Sequence, residues 1–224
     1  YEGYGGKVLR VNLTEKSFEI ESSKDEVSEN FLGGEGFGSK ILWDELEPGI
    51  DPFDSRNKVV FTVGPLQGTI CPSVSRACVS TKSPLTNGIT RSLCGGDIAY
   101  EFKRAGFDAM IIEGKSSEPV YVWIQNSNID IRDAKYLWGM FNGETQKYVK
   151  RYTDERAQVI SIGPAGEKLV RNACVISGIG AFGRGGVGAV LGSKKLKAIA
   201  MRGTETIPLA DPSGFDRAVK TVYE

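Results

Sequence analysis

The chain has 224 residues, in which 28 lysines and arginines balance 28 aspartates and glutamates, with four cysteines and no histidine. That length allows one large domain or two small ones, and the balanced charge supplies no field to draw nucleic acid or an anionic membrane. No apolar run reaches the roughly 20 residues that cross a bilayer, and the absence of histidine excludes a Ser-His-Asp triad, a Cys-His dyad and a histidine-ligated zinc within the chain.

The start of the chain lacks the charged-then-apolar pattern of a signal peptide, so a soluble, cytoplasmic protein is expected. Lys7 to Leu13 alternates apolar and polar side chains, Thr14-Glu15-Lys16 turns, and Ser17 to Glu21 returns, which predicts a hairpin. Further strands are predicted at Lys58 to Val63, Ala77 to Thr81, Ala109 to Glu113, Val120 to Gln125, Ile129 to Arg132, Gln158 to Ile162, Asn172 to Ile176 and Ala198 to Arg202. Helices are predicted at Ser39 to Leu46 and Asp97 to Ala105, each after a glycine-rich turn, and at Gly143 to Tyr152 on a mixed-charge amphipathic pattern. Gly64-Pro65-Leu66 and Gly163-Pro164-Ala165-Gly166-Glu167 read as strand-ending turns. This order predicts an α+β fold of largely antiparallel sheets with a few helices.

From Thr204 the character changes. Ile207-Pro208-Leu209-Ala210-Asp211-Pro212 reads as a connector, and Ser213 as the cap of a helix from Gly214 to Tyr223. The expectation is one domain over 1–203, with 204–224 leading into a helical domain of a longer protein.

Two glycine-rich segments carry the functional signal: Cys94-Gly95-Gly96-Asp97 and Gly183-Arg184-Gly185-Gly186-Val187-Gly188. Glycine removes the Cβ that keeps a ligand from the backbone and allows consecutive N–H groups to converge on an anionic oxygen. An arginine fork beside such a loop adds permanently charged donors, and Arg76, Arg91 and Arg184 are the candidates. Gly183-x-Gly185-x-x-Gly188 formally matches the dinucleotide fingerprint, with Glu205 near the distance of a ribose acid. That fingerprint belongs in a series of βαβ units, and the strands upstream are joined by turns. Cys71, Cys78, Cys94 and Cys174 form no Cys-x-x-Cys pair and read as buried free thiols.

Gly64-Pro65-Leu66-Gln67-Gly68-Thr69, Ser80-Thr81-Lys82-Ser83-Pro84-Leu85-Thr86, Ala105-Gly106-Phe107-Asp108-Ala109, Ile131-Arg132-Asp133-Ala134, Leu137-Trp138-Gly139, Ser161-Ile162-Gly163-Pro164-Ala165-Gly166-Glu167 and Gly183-Arg184-Gly185-Gly186-Val187-Gly188-Ala189-Val190 agree in order and spacing with one family. Over about Gly5 to Gly203 the chain closely resembles the N-terminal domain of the aldehyde ferredoxin oxidoreductase family.

The resemblance implies a two-sheet base for a bis-pyranopterin cofactor of tungsten or molybdenum, beside a [4Fe–4S] cluster whose cysteines lie in later helical domains outside this chain. It implies oxidation of aldehydes to carboxylates, with ferredoxin or another electron-transfer subunit as partner. A homo-oligomer is compatible with this reading. By position, Arg76 resembles the family arginine between pterin and cluster. Gly95, Gly96, Gly183, Arg184 and Gly185 resemble pterin and phosphate contacts, and the backbone carbonyls of Leu93 and Phe182 stand where the family holds a magnesium ion bridging the two phosphates. The family also contains the catalytic subunit of tungsten-dependent benzoyl-CoA reductases and hydroxycarboxylate oxidoreductases. A non-catalytic pterin-binding scaffold is the remaining alternative.

Overall fold

The computed structural model describes residues 2–23 and 25–223. Its first half runs β1 (Lys7–Asn12), β2 (Ser17–Ser22), α1 (Asp25–Phe31), α2 (Glu35–Glu45), β3 (Val59–Thr62), β4 (Ala77–Lys82), β5 (Ile89–Cys94), α3 (Ile98–Arg104) and β6 (Phe107–Glu113). The second runs β7 (Val120–Gln125), β8 (Asn128–Asp133), α4 (Asn142–Tyr152), β9 (Gln158–Ser161), α5 (Pro164–Glu167), β10 (Val175–Ser177), β11 (Gly180–Phe182), α6 (Val187–Ser193) and β12 (Leu196–Arg202), and α7 (Pro212–Tyr223) follows.

The halves are a topological repeat. The first sheet has the order β2-β1-β6-β3-β4-β5 and the second β8-β7-β12-β9-β10-β11. In each, the first strand of an opening hairpin pairs parallel with the last strand, β1 with β6 and β7 with β12, and every other pairing is antiparallel. The fold is therefore the α+β arrangement of two largely antiparallel sheets that the strand-rich order predicts. The repeat also makes the two glycine-rich segments equivalent: one joins β5 to α3 and the other joins β11 to α6.

One core binds the halves together. β3, β6, β7 and β12 are buried on both faces, so apolar residues occupy both sides of each strand instead of alternating with polar ones. Leu9, Phe61, Phe102 and Met110 pack in the same cluster as Ile124, Ile160, Phe182 and Met201. Phe61 meets Phe102 and Phe182 edge-on, at centroid distances of 4.9 and 5.8 Å. α3 touches β12 of the other half, and α6 touches β3 and β4, so neither half closes without its twin. Outside, α2 covers Val60 and Ile111 with Leu42, and Val149 of α4 packs with Val159 and Ala198.

Buried lysines tie loops to the core. Lys194 Nζ donates to the carbonyls of Ser55 and Gly114 at 2.9 Å each, and burial pulls its ammonium down to about 8. Lys103 pairs with Asp108, both side chains fully enclosed, and Asp108 also accepts from the amides of Gly5 at 3.0 Å and Gly6 at 2.7 Å. The segment after β12 begins by packing back on the sheets: Gly3 N–H donates to the Pro208 carbonyl at 2.7 Å, and Arg104 Nε to that of Glu205 at 3.0 Å.

Four differences from the sequence reading have physical causes. β5 is a strand whose exposed side chains are Ile89, Arg91 and Leu93 and whose buried ones are Ser92 and Cys94, which inverts the apolar-in pattern. β11 is only three residues long. α6 is buried on all sides and has no amphipathic period; a Cβ at its Gly192 would collide with the Gly166 carbonyl of α5. Cys78 and Cys94 are buried free thiols as expected, whereas Cys71 and Cys174 are partly exposed.

Candidate functional site

β5 and β11 lie against each other where the two sheets meet. Across that junction Arg184 N–H donates to Ser92 Oγ at 3.1 Å, and Ser83 Oγ donates to the Gly185 carbonyl at 2.8 Å, so the second glycine loop is stitched to the first sheet. At the junction a cavity of about 600 Å³ opens between Arg76, Arg91, Ser92, Leu93, Gly183 and Arg184. Arg76 immediately precedes β4, and its carbonyl accepts from Gln67 Nε2 at 3.0 Å.

The three guanidiniums differ in their partners. Arg91 Nε is paired with the Glu35 carboxylate; among the described residues neither Arg76 nor Arg184 has a carboxylate within 4 Å. Two uncompensated positive charges therefore face one cavity. Its donor set fits an anion: charged forks capable of bidentate bonds, next to backbone free of side chains.

The glycines divide by what surrounds them. At Gly95 the nearest atom to an added Cβ would be Ser75 O at 4.0 Å, at Gly183 Cys174 Sγ at 3.9 Å, and at Gly96 (φ +95°) nothing lies within 4 Å. These three leave open space for a ligand. Gly185, by contrast, has φ +70° and would drive a Cβ into Thr90 of β5. Its lack of a side chain is demanded by the junction of the sheets, whatever binds there. Phe182 is fully buried in the core, so only its backbone can reach the site.

The structure thus brings Arg76, Leu93, Gly183 and Arg184 together around the cavity, with Gly95 and Gly96 following at the same end of β5. Sequence reasoning missed Ser92 and Ser83, which hold the second loop. No periodic signal marks a serine that bonds a loop about 100 residues away in sequence.

Residues 8–203 match the family described as "Aldehyde ferredoxin oxidoreductase, N-terminal domain". The chain belongs to this family. It is 47% identical to the tungsten-containing aldehyde ferredoxin oxidoreductase of Pyrococcus abyssi over 99% of this chain and 37% of that protein. The aliphatic sulfonate oxidoreductase WOR-like subunit of Pyrococcus furiosus is 39% identical over 92% of this chain and 35% of its own length. Among solved structures, the active-site complex BamBC of benzoyl coenzyme A reductase superposes with a TM-score of 0.97 at 41% identity, over 99% of this chain and 34% of that one. The chain therefore spans little more than a third of the length of these relatives.

In this aldehyde ferredoxin oxidoreductase N-terminal domain the glycine run at Gly183 is not a Rossmann fingerprint. β11, which precedes it, pairs antiparallel with β10 and is not adjacent to β12, and a Cβ at Gly188 would strike the Cys174 carbonyl. Cys94, beside the first loop, has its thiol pushed up by burial, against the lowering pull of the Arg76 charge. Among the described residues no cluster of three or more cysteine, aspartate or glutamate side chains could hold a metal. No helix of the described residues is long and apolar enough to cross a membrane.

Proposed function

We propose that the chain is the cofactor-binding base of a longer tungsten bis-pyranopterin oxidoreductase that oxidises aldehydes to carboxylic acids and passes the electrons to ferredoxin. The observation that carries this reading is the pair of guanidiniums without carboxylate partners, Arg76 and Arg184, converging with Gly183 on one cavity at the junction of the repeated halves. Two equivalent glycine loops, one from each half, suit a cofactor that is itself a pair of phosphorylated pterins.

In this reading Arg184 neutralises and orients the phosphates, Arg76 stands between pterin and cluster, and the exposed amides of Gly95, Gly96 and Gly183 approach the phosphates without steric hindrance. The backbone carbonyls of Leu93 and Phe182 would offer hard oxygen donors to a magnesium ion. When bound, the metal supplies the two-electron oxidation of the substrate. Ligands of a [4Fe–4S] cluster, the catalytic acid or base and the substrate pocket are assigned to domains beyond residue 224, with residues 1–203 as the base and 204–224 as the connector. The complete protein is placed in the cytoplasm.

The likeness to BamBC favours one second reading, a low-potential reductase acting on a CoA thioester within a larger complex. The test is the complete protein, purified without oxygen and assayed for aldehyde-dependent reduction of ferredoxin or a viologen dye. Turnover with aldehydes is the expected result. Silence toward aldehydes, together with oxidation of reduced dye by an aromatic acyl-CoA, would replace the first reading with the second.

A further inference from the structure

Arg91 and Glu35 stand apart from the other groups of the site. Arg91 lines the cavity from the exposed face of β5 and is the arginine of the three that is ion-paired. The repeat sharpens the contrast. The second glycine loop carries its own arginine, Arg184, but the equivalent loop of the first half, Cys94-Gly95-Gly96-Asp97, carries none. In the first half the arginine comes instead from the strand leading into the loop, and so it needs a different device to hold it.

The geometry points to Glu35 as that device: a positioning residue whose carboxylate pairs with Arg91 on the Nε side and so turns the terminal edge of the guanidinium toward whatever fills the cavity. This rests on the cofactor-site reading above. A guanidinium has five N–H donors in a planar fork, and engaging Nε fixes the plane without consuming the terminal edge used in bidentate recognition. A free arginine on an exposed strand face would have to be ordered at the moment of binding, at the cost of rotamer entropy.

The backbone that carries Glu35 is firmly held, while its side chain is half exposed. Glu35 is the first residue of α2, whose start is pinned by Gly34 N–H donating to the Val63 carbonyl at 3.1 Å and by Thr62 Oγ1 donating to the Gly34 carbonyl at 2.7 Å. One turn on, a Cβ at Gly38 would overlap Ser80 of β4, so α2 rests directly on the sheet, and Ser80 is the cross-strand partner of Arg91. The helix start and the arginine are thus registered to the same β4 residue. Because Glu35 cancels its charge, Arg91 acts as a directional donor, while Arg76 and Arg184 carry the net attraction.

The test uses the complete protein with four variants, Glu35→Gln, Arg91→Gln, the double variant Glu35→Gln/Arg91→Gln, and Arg91→Lys. Tungsten and pterin per protomer are measured after prolonged dialysis. Glu35→Gln and Arg91→Gln are each expected to lower retention on the order of 10-fold, the effect typical of losing a supporting shell. Melting temperatures of the cofactor-stripped proteins should stay within those of the parent. The double variant should retain as much as Arg91→Gln alone, since Glu35 acts through Arg91. Arg91→Lys keeps the charge but not the fork, and should also lose cofactor.

Parent-like or increased retention in Glu35→Gln, losses that multiply in the double variant, or full retention in Arg91→Lys would each overturn the assignment. A parent protein holding neither tungsten nor pterin would overturn the cofactor reading itself. Loss in Arg184→Ala with none in the Glu35 variants would overturn the present inference alone.

Discussion

Replacing Arg184 by alanine in the complete protein is expected to lower its tungsten and pterin content together, roughly 10- to 100-fold in retention. A hydrogen bond to a charged group contributes about 1.5–3 kcal/mol, and each 1.4 kcal/mol is a factor of ten in affinity. The fold should not suffer, because the Arg184 side chain has no carboxylate partner among the described residues and the loop is held by its backbone, through the amide that donates to Ser92 Oγ. Metal and pterin should fall in step, since an arginine that grips the phosphate end retains the whole group. Arg156→Ala is the control: this side chain is 75% exposed and, among the described residues, its ion pair is with nearby Asp154. Unchanged metal and pterin in Arg184→Ala would remove Arg184 from the site.

Asp108→Ala should produce the largest loss of stability, about 3–5 kcal/mol, because it strands the enclosed Lys103 ammonium without its counter-charge. Burial already pulls the Lys103 ammonium down, with Asp108 opposing that shift. The same substitution releases the amides of Gly5 and Gly6, so the segment that carries Tyr4 over Lys103, with Nζ 5.0 Å from the ring centroid, loses its anchor. Lys103→Met/Asp108→Ala removes both charges and should recover a large part of the loss. Denaturant unfolding reads both. An Asp108→Ala protein within 1 kcal/mol of the parent, by the same cited scale, would mean the pair contributes little.

Much of the base was legible in the sequence, and what was hidden follows from where the strands lie. The β1–β2 hairpin announces itself by alternation and a polar turn, and β7 and β12 by apolar runs that only a doubly covered strand carries. The two strands that border the site were not legible. β5 turns Arg91 and Leu93 outward and serine and cysteine inward because its outer face belongs to the cavity, and β11 is too short to show a period. Both failures sit at the junction proposed as the cofactor site, where demands of binding would displace the local rules of folding. The repeat was equally hidden, since it resides in strand order and not in matching residues. Glycine content marked both loops, but only the three-dimensional neighbours separate Gly183, which faces open space, from Gly185, which packs on Thr90.

The most direct measurement is metal and pterin analysis of the complete protein purified without oxygen. Tungsten and pterin present together, in the ratio a bis-pterin cofactor requires, is the expected result. A folded protein from the same preparation that carries neither would contradict the reading of the Arg76–Arg184 cavity as a pterin site.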